Sequence, residues 1–211
     1  GYTWYKNSRL NRLTAWNNSQ VTDVPSEILY LEDLETKKVW SLGSSPAPDN
    51  NDYEVTYGWG YSKYCHSSNG IKQELKIFIP KEENCKVQLL HLENKVAKRK
   101  EIKLVYYMKP VLDEDEIKSN GYLDLQFKEN ANLLLLQNQA KEKEHRTILA
   151  IGCSEKILSY TGSKSFFLGK GTLKNPDGMH KLELDRENSL GKDEAIAIEM
   201  KISLEAFERK D

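Results

Sequence analysis

Apolar side chains recur at every second position along much of this chain, and a period of two is the signature of a strand with one buried face. The clearest run carries Ile196, Ile198, Met200, Ile202 and Leu204, separated by Ala197, Glu199, Lys201 and Ser203. Ile102, Leu104, Tyr106 and Met108 repeat the pattern. So do Leu75, Ile77 and Ile79, stopped by Pro80, which has no amide hydrogen to give a sheet ladder. Shorter candidate strands lie at residues 28–31, 39–40, 53–57, 87–92, 123–127, 133–136, 147–151 and 165–168.

Turn formers separate these runs. Residues 33–38 are polar, and 44–52 carry Pro46, Pro48, Asp49, Asn50 and Asn51. Asn69-Gly70 and Asn120-Gly121 are pairs that favour two-residue hairpin turns. About ten short strands at hairpin spacing predict an all-β fold, a large antiparallel β-sandwich with few short helices. Only 113–119 and 175–186 have a helical composition. The charge-rich stretches 81–84, 95–101 and 141–146 read as solvated hairpin tips, because Glu residues interrupt their basic character. There is no internal repeat and no low-complexity tract.

Charge narrows the function classes. Thirty-one Lys and Arg face 32 Asp and Glu, a formal net charge of −1. That balance gives no global drive toward nucleic acid or an anionic membrane. A chain of 211 residues buries roughly 70% of its unfolded surface, so residues 1–211 are expected to form one domain around one core, with a loop-rich segment at 1–27. No apolar run approaches the ~20 residues of a transmembrane helix. The start, Gly1-Tyr2-Thr3-Trp4, has neither Met nor a signal segment, and reads as a piece of something longer. Cys65, Cys85 and Cys153 are odd in number and far apart, which suits reduced thiols in a cytoplasmic protein.

Few constellations carry chemistry. His66, His91, His145 and His180 show no metal-binding spacing. Cys65 and His66 are adjacent, so a strand would point them to opposite faces, although His91 or His145 could approach Cys65 in space. Asp113-Glu114-Asp115-Glu116 could supply the paired acids of sugar chemistry, but consecutive acids repel and read better as a solvated loop. No catalytic residue, metal or cofactor is therefore assigned. The informative stretch is amino-terminal, where Trp4, Tyr5, Arg9, Asn11, Arg12, Trp16, Asn17 and Asn18 mix aromatic rings with planar hydrogen-bonding groups. Sugars need both, C–H faces to stack and hydroxyls to pair. A second cluster holds Tyr53, Tyr57, Trp59, Tyr61 and Tyr64, and there core packing is the expectation for Tyr53, Tyr57 and Tyr61.

These residues also carry a resemblance. Gly1-Tyr2-Thr3-Trp4, Arg9-Leu10-Asn11-Arg12-Leu13-Thr14-Ala15-Trp16 and Asp23-Val24-Pro25-Ser26-Glu27 resemble the start of the glycoside hydrolase family 94 module. The likeness continues through Val39-Trp40-Ser41, Tyr57-Gly58-Trp59-Gly60-Tyr61, Gly70-Ile71-Lys72-Gln73-Glu74-Leu75 and Phe78-Ile79-Pro80. It fades after Tyr107 and returns at Phe166-Phe167-Leu168-Gly169 and Asn175-Pro176. Leu42 departs from the family's usual Pro or Thr. Trp16-Asn17-Asn18 with the 23–27 block is most similar to the subgroup acting on β-1,2-glucans, the oligoglucan phosphorylases and cyclic β-1,2-glucan synthases.

The resemblance implies a galactose mutarotase-like super-sandwich that precedes a helical linker and an (α/α)6 barrel. The barrel would hold the general acid and the site for inorganic phosphate, which is the parent enzyme's co-substrate. This domain alone would then be inactive. It would shape the site for a β-glucan oligosaccharide through Arg9, Asn11, Arg12 and Trp16, and would support a homodimer. The location implied is cytoplasmic, either as part of a soluble phosphorylase or as the cytoplasmic part of a membrane-bound synthase. Two rival readings stand beside it, an independent carbohydrate-binding module and a scaffold serving only subunit contact. A complete standalone enzyme ranks last.

Overall fold

The computed structural model describes residues 2–17, 19, 21, 23–142, 146–188 and 195–211. In chain order its strands are β1 (Arg12–Thr14), β2 (Glu27–Asp33), β3 (Val39–Ser41), β4 (Tyr53–Gly58), β5 (Tyr61–Ser68), β6 (Ile71–Phe78), β7 (Val87–Asn94), β8 (Lys100–Met108), β9 (Pro110–Asp113), β10 (Leu123–Lys128), β11 (Leu133–Asn138), β12 (Ile148–Gly152), β13 (Ser159–Thr161), β14 (Ile196–Leu204) and β15 (Arg209–Lys210). Among the described residues there are also two short α-helices, α1 (Glu116–Ser119) and α2 (Lys164–Leu168), and 3-10 turns at Glu129–Ala131 and Asp177–His180. The fold is all-β and antiparallel, as the alternation predicts. The chain forms two compact units, one of residues 29–104 and 201–211, the other of 1–28 and 105–200.

The first unit is built on a five-stranded sheet in the order β15-β7-β6-β5-β4. Between β5 and β6, Asn69 and Gly70 take φ of 50° and 78°, the double left-handed turn that Asn-Gly favours. Because paired residues share a face, the register assigns every side chain. One face carries His66, Ile71, Gln73, Leu92 and Asn94, all buried. Further along the same face come two cross-strand rows: Val55, Tyr64, Leu75 and Leu90, then Tyr57, Ser62, Ile77 and Gln88. Burial fades along these rows until Val55 and Tyr57 are exposed. The opposite face holds Glu54, Lys63, Cys65, Glu74, Lys76 and His91 and is solvated.

Within the same unit, Trp40 on β3 is fully buried and donates its indole N–H to Gln73 at 2.8 Å. The Gln73 amide continues the chain to the Leu42 carbonyl at 3.3 Å. The turn after β2 closes on Asp33, whose carboxylate accepts from the amides of Glu35 and Thr36 and from Lys100. Burial alone would raise the Asp33 carboxyl, but those hydrogen bonds outweigh it and hold it below its ordinary value.

The second unit contains the β10-β11-β12 meander, the β1–β9 pair and the β13–β14 pair. Alternate residues Leu134 and Leu136 of β11 are fully buried, with Leu123 and Leu125 of β10 on the same side of the register. Asn132, left-handed at φ 51°, ties the meander's first turn to residues 153–157 through three side-chain hydrogen bonds.

Several expectations change here. Residues 165–168, read as a strand, form α2. The Ser163 side chain caps its start by accepting from the Phe166 amide at 3.1 Å, and Gly169 ends it. Phe167 is thereby buried against Tyr107, with ring centroids 5.4 Å apart. The helical expectation at 113–119 shrinks to α1, capped by Asp115, because Asp113 is drawn into β9. At 175–186 only a 3-10 turn forms, Asp177–His180. Asn120-Gly121 joins α1 to β10 instead of closing a hairpin. Tyr57, expected in the core, is 78% exposed because β4 ends its sheet and nothing in its unit covers that row.

Candidate functional site

The amino-terminal segment folds back on itself, and this places its polar and aromatic side chains. The Thr3 carbonyl accepts from the Leu13 amide at 2.8 Å, Tyr5 N–H donates to the Asn11 carbonyl at 3.0 Å, and Trp4 bridges Arg12. At the tip, the Asn7 side chain accepts from the amides of Arg9 and Leu10, an Asx turn. The base is fixed by Thr3 Oγ1, which donates to Glu27 at 2.6 Å, and by the Ala15 amide, which donates to the Lys109 carbonyl at 2.9 Å. The segment expected to be a loop therefore contains β1, paired to β9 with Arg12 opposite Asp113.

This fold-back brings Arg12 and Trp16 together. Tyr2 and Trp16 stack at 4.9 Å between centroids, inclined by 25°. The Arg12 guanidinium carbon lies 5.3 Å from the Tyr2 ring centroid and 5.4 Å from that of Trp16. Arg12 Nε is buried and has no hydrogen-bond partner among the described residues. The carboxylate nearest in register, Asp113, is occupied elsewhere: it accepts from Asn138 at 3.1 Å and lies 3.5 Å from Lys141. Asp113 is thus buried and engaged, where the sequence suggested a solvated acid. Glu114 and Glu116 do pair at the surface, with Lys118 and Lys109.

The other named residues are dispersed. Asn11 accepts from Thr147 Oγ1 at 3.2 Å, and Arg9 is exposed at the tip with no side-chain hydrogen bond or ion pair among the described residues. Asn18 and His145 lie outside the described residues. Tyr2 was missed as a ring partner, although an aromatic two positions from Trp4 was visible. Thr147 had no local signal.

Chemically, this arrangement offers N–H donors beside ring faces. It can orient an oxygen-rich ligand but cannot move a proton, since a guanidinium does not deprotonate in a protein.

Neither His91 nor His66 is placed to activate Cys65. Cys65 and His91 share one face but are separated by Glu74, two strand spacings or about 10 Å. Burial, then the Glu74 carboxylate 3.6 Å away, push the Cys65 thiol up. His91 instead contacts Asp211. His66, on the other face, is buried with Nε2 3.0 Å from Asp49 and Nδ1 2.8 Å from the Asp52 carbonyl, under the stacked ring of Tyr53. Among the described residues no three His, Cys, Asp or Glu side chains converge on a metal position. No helix among them is long and apolar enough to cross a membrane.

Comparison with known proteins follows the same lines. The profile of the glycosyl hydrolase 94 supersandwich domain matches residues 1–211. The chain is 36% identical over 97 residues, 44% of its length, to N,N'-diacetylchitobiose phosphorylase of Vibrio furnissii, of which that covers 12%. It is 22% identical over 208 residues, 97% of its length, to the cyclic beta-(1,2)-glucan synthase NdvB of Rhizobium meliloti (strain 1021), covering 7% of that protein. To solabiose phosphorylase of Paenibacillus borealis it is 26% identical over 144 residues, 66% of its length and 19% of the relative. The chain thus spans between 7% and 19% of the length of these three relatives.

Proposed function

We propose a function from one premise: the chain belongs to the glycosyl hydrolase 94 supersandwich domain family. Residues 1–211 act as one non-catalytic domain of a larger carbohydrate-processing enzyme, either an inverting glycoside phosphorylase or a cyclic β-1,2-glucan synthase. In the phosphorolytic case, inorganic phosphate attacks the anomeric carbon while an acid protonates the leaving sugar oxygen. Inversion needs those two groups on opposite faces of the ring, and this chain supplies neither. Both belong to the (α/α)6 barrel that completes the enzyme.

The domain's part is to shape the β-glucan site and to support a homodimer. The observation that carries this reading is the Arg12 guanidinium held against Tyr2 and Trp16, with a buried Nε that nothing in the described chain satisfies. A buried donor without a partner is costly, so its retention favours an external acceptor such as a sugar hydroxyl. Asn11 and Arg9 extend the same fold-back toward that ligand.

The test is Arg12→Ala in the complete enzyme. Turnover is expected to fall about tenfold or more, as misplaced substrate groups do. Arg12→Lys keeps the charge but not the planar fork and rescues only part of it. Unchanged kinetics at native stability would remove the role.

A further inference from the structure

The β4–β5 hairpin lies outside the Arg12 fold-back and carries a feature that stability does not explain. Trp59, at its turn, is fully exposed, and Tyr57 nearly so. The turn is built to present that indole. Gly60 takes φ +77° at the third turn position, where a type II turn needs a residue tolerant of positive φ. Gly58 leaves room for the Tyr61 ring, which would stand 2.2 Å from a Cβ there. Tyr61 is held in turn beneath Lys76, 4.5 Å from its centroid. The indole between the two glycines has no ring or hydrogen-bond partner among the described residues.

The adjoining sheet surface has matching chemistry. Tyr57 and Ser62 pair in register, as do Val55 and Tyr64, and all four side chains share one face. Burial raises the Tyr64 phenol above its ordinary value, with the Tyr57 phenol adding to the rise and the Ser62 hydroxyl opposing it. Three hydroxyls and the Gln88 amide are thus interleaved with rings. No charged residue occurs in either of the rows that end in Val55 and Tyr57. Lys63, Glu74 and Lys76 are on the opposite face, and Lys210 of β15 shares this face only in the row of Leu92. An anionic ligand finds no cation here, and a nucleic acid finds no phosphate contact. A neutral polyhydroxylated chain meets both requirements, ring faces for C–H stacking and neutral groups for hydroxyl pairing.

We propose that Trp59, Tyr57 and the uncharged face beside them form a second glycan platform, which stacks a neutral gluco-oligosaccharide and shares no residue with the Arg12 site. The ligand class rests on the function proposed above. The platform itself rests on the hairpin.

Affinity electrophoresis of the complete enzyme through gels containing soluble β-1,2-glucan tests it. The unmodified enzyme is expected to be retarded, and Trp59→Ala to need about tenfold more glucan for the same retardation, the loss expected for a truncated anchor aromatic. Tyr57→Ala should weaken retardation in the same direction. Equal retardation of Trp59→Ala and unmodified enzyme, or no retardation of either, overturns the platform. A loss of dimer in Trp59→Ala by light scattering, without a change in retardation, also overturns it by assigning the face to a second copy. The Arg12→Ala turnover assay is independent of this result, so the platform and the parent reading fail separately.

Discussion

The indole N–H of Trp40 meets the side-chain carbonyl of Gln73 at 2.8 Å, with both residues wholly buried. Gln73→Leu would keep the volume but orphan the indole donor and the Leu42 carbonyl. Such a change should cost about 1–3 kcal/mol. Urea unfolding followed by tryptophan fluorescence reads this as a lower midpoint at unchanged slope.

Glu101 gives a stability contribution that depends on pH. The hydrogen bond from Lys201, 2.8 Å away, is the largest influence, opposed by burial and reinforced by Ser203 and Arg99, and the carboxyl is pulled from 4.5 down to about 2. Its folded value lies below its unfolded one. The contribution is therefore fully present above pH 4.5 and is lost as pH falls toward about 2. Glu101→Gln should destabilise at pH 7 and lose that difference near pH 2. Paired thermal melts across this range check the trend, which added salt should weaken.

Asn132 should tolerate little. Its amide group donates to the Cys153 and Glu155 carbonyls at 2.9 and 2.8 Å, and its carbonyl accepts from the Ile157 amide at 2.8 Å. Asn132→Gly keeps the left-handed backbone but loses all three bonds. Asn132→Asp keeps an acceptor but faces two carbonyls with a carboxylate. Both should lower the melting temperature, and the loss in Asn132→Asp should be larger at pH 7 than at pH 4.

The thiols should differ in reactivity. Cys85 is exposed, whereas burial pushes Cys65 and Cys153 up, with Glu74 adding to the effect at Cys65. Since the thiolate is the nucleophile, iodoacetamide at pH 8 should label Cys85 first. Glu74→Gln should speed labelling of Cys65 and leave Cys153 as it was. Peptide mass spectrometry over a time course distinguishes them.

β10 was legible because it buries one face and so prints alternation into the sequence; β8 and β14 alternate in sequence too, although the structure also buries Lys103, Val105 and Tyr107 of β8 and Ala197 and Glu199 of β14 on their other face. α2 was not, since Phe166, Phe167 and Leu168 are apolar in any register. What decides their conformation is the Ser163 cap, Gly169 and the long-range burial of Phe167 on Tyr107. β9 was hidden behind Pro110 and the acidic run, where Asp113 is buried only because Asn138 and Lys141 reach it.

At the candidate site, composition alone singled out Arg12 and Trp16. Their union with Tyr2 depends on the chain doubling back through Thr3 and Leu13, a relation that no spacing rule encodes. Tyr57 was misjudged for the reverse reason. Its alternation is that of a core strand, but β4 is the last strand of its sheet.

That terminal position has a further cost. Among the described residues no strand neighbours the outer backbone amides and carbonyls of β4, and an open edge invites the same edge of another molecule. Glu54, exposed on it, supplies repulsion when two such edges meet, but Val55 and Tyr57 invite contact. Concentrated preparations should therefore be prone to filament growth or precipitation, nucleated at this edge and suppressed by a second acid there in place of Thr56.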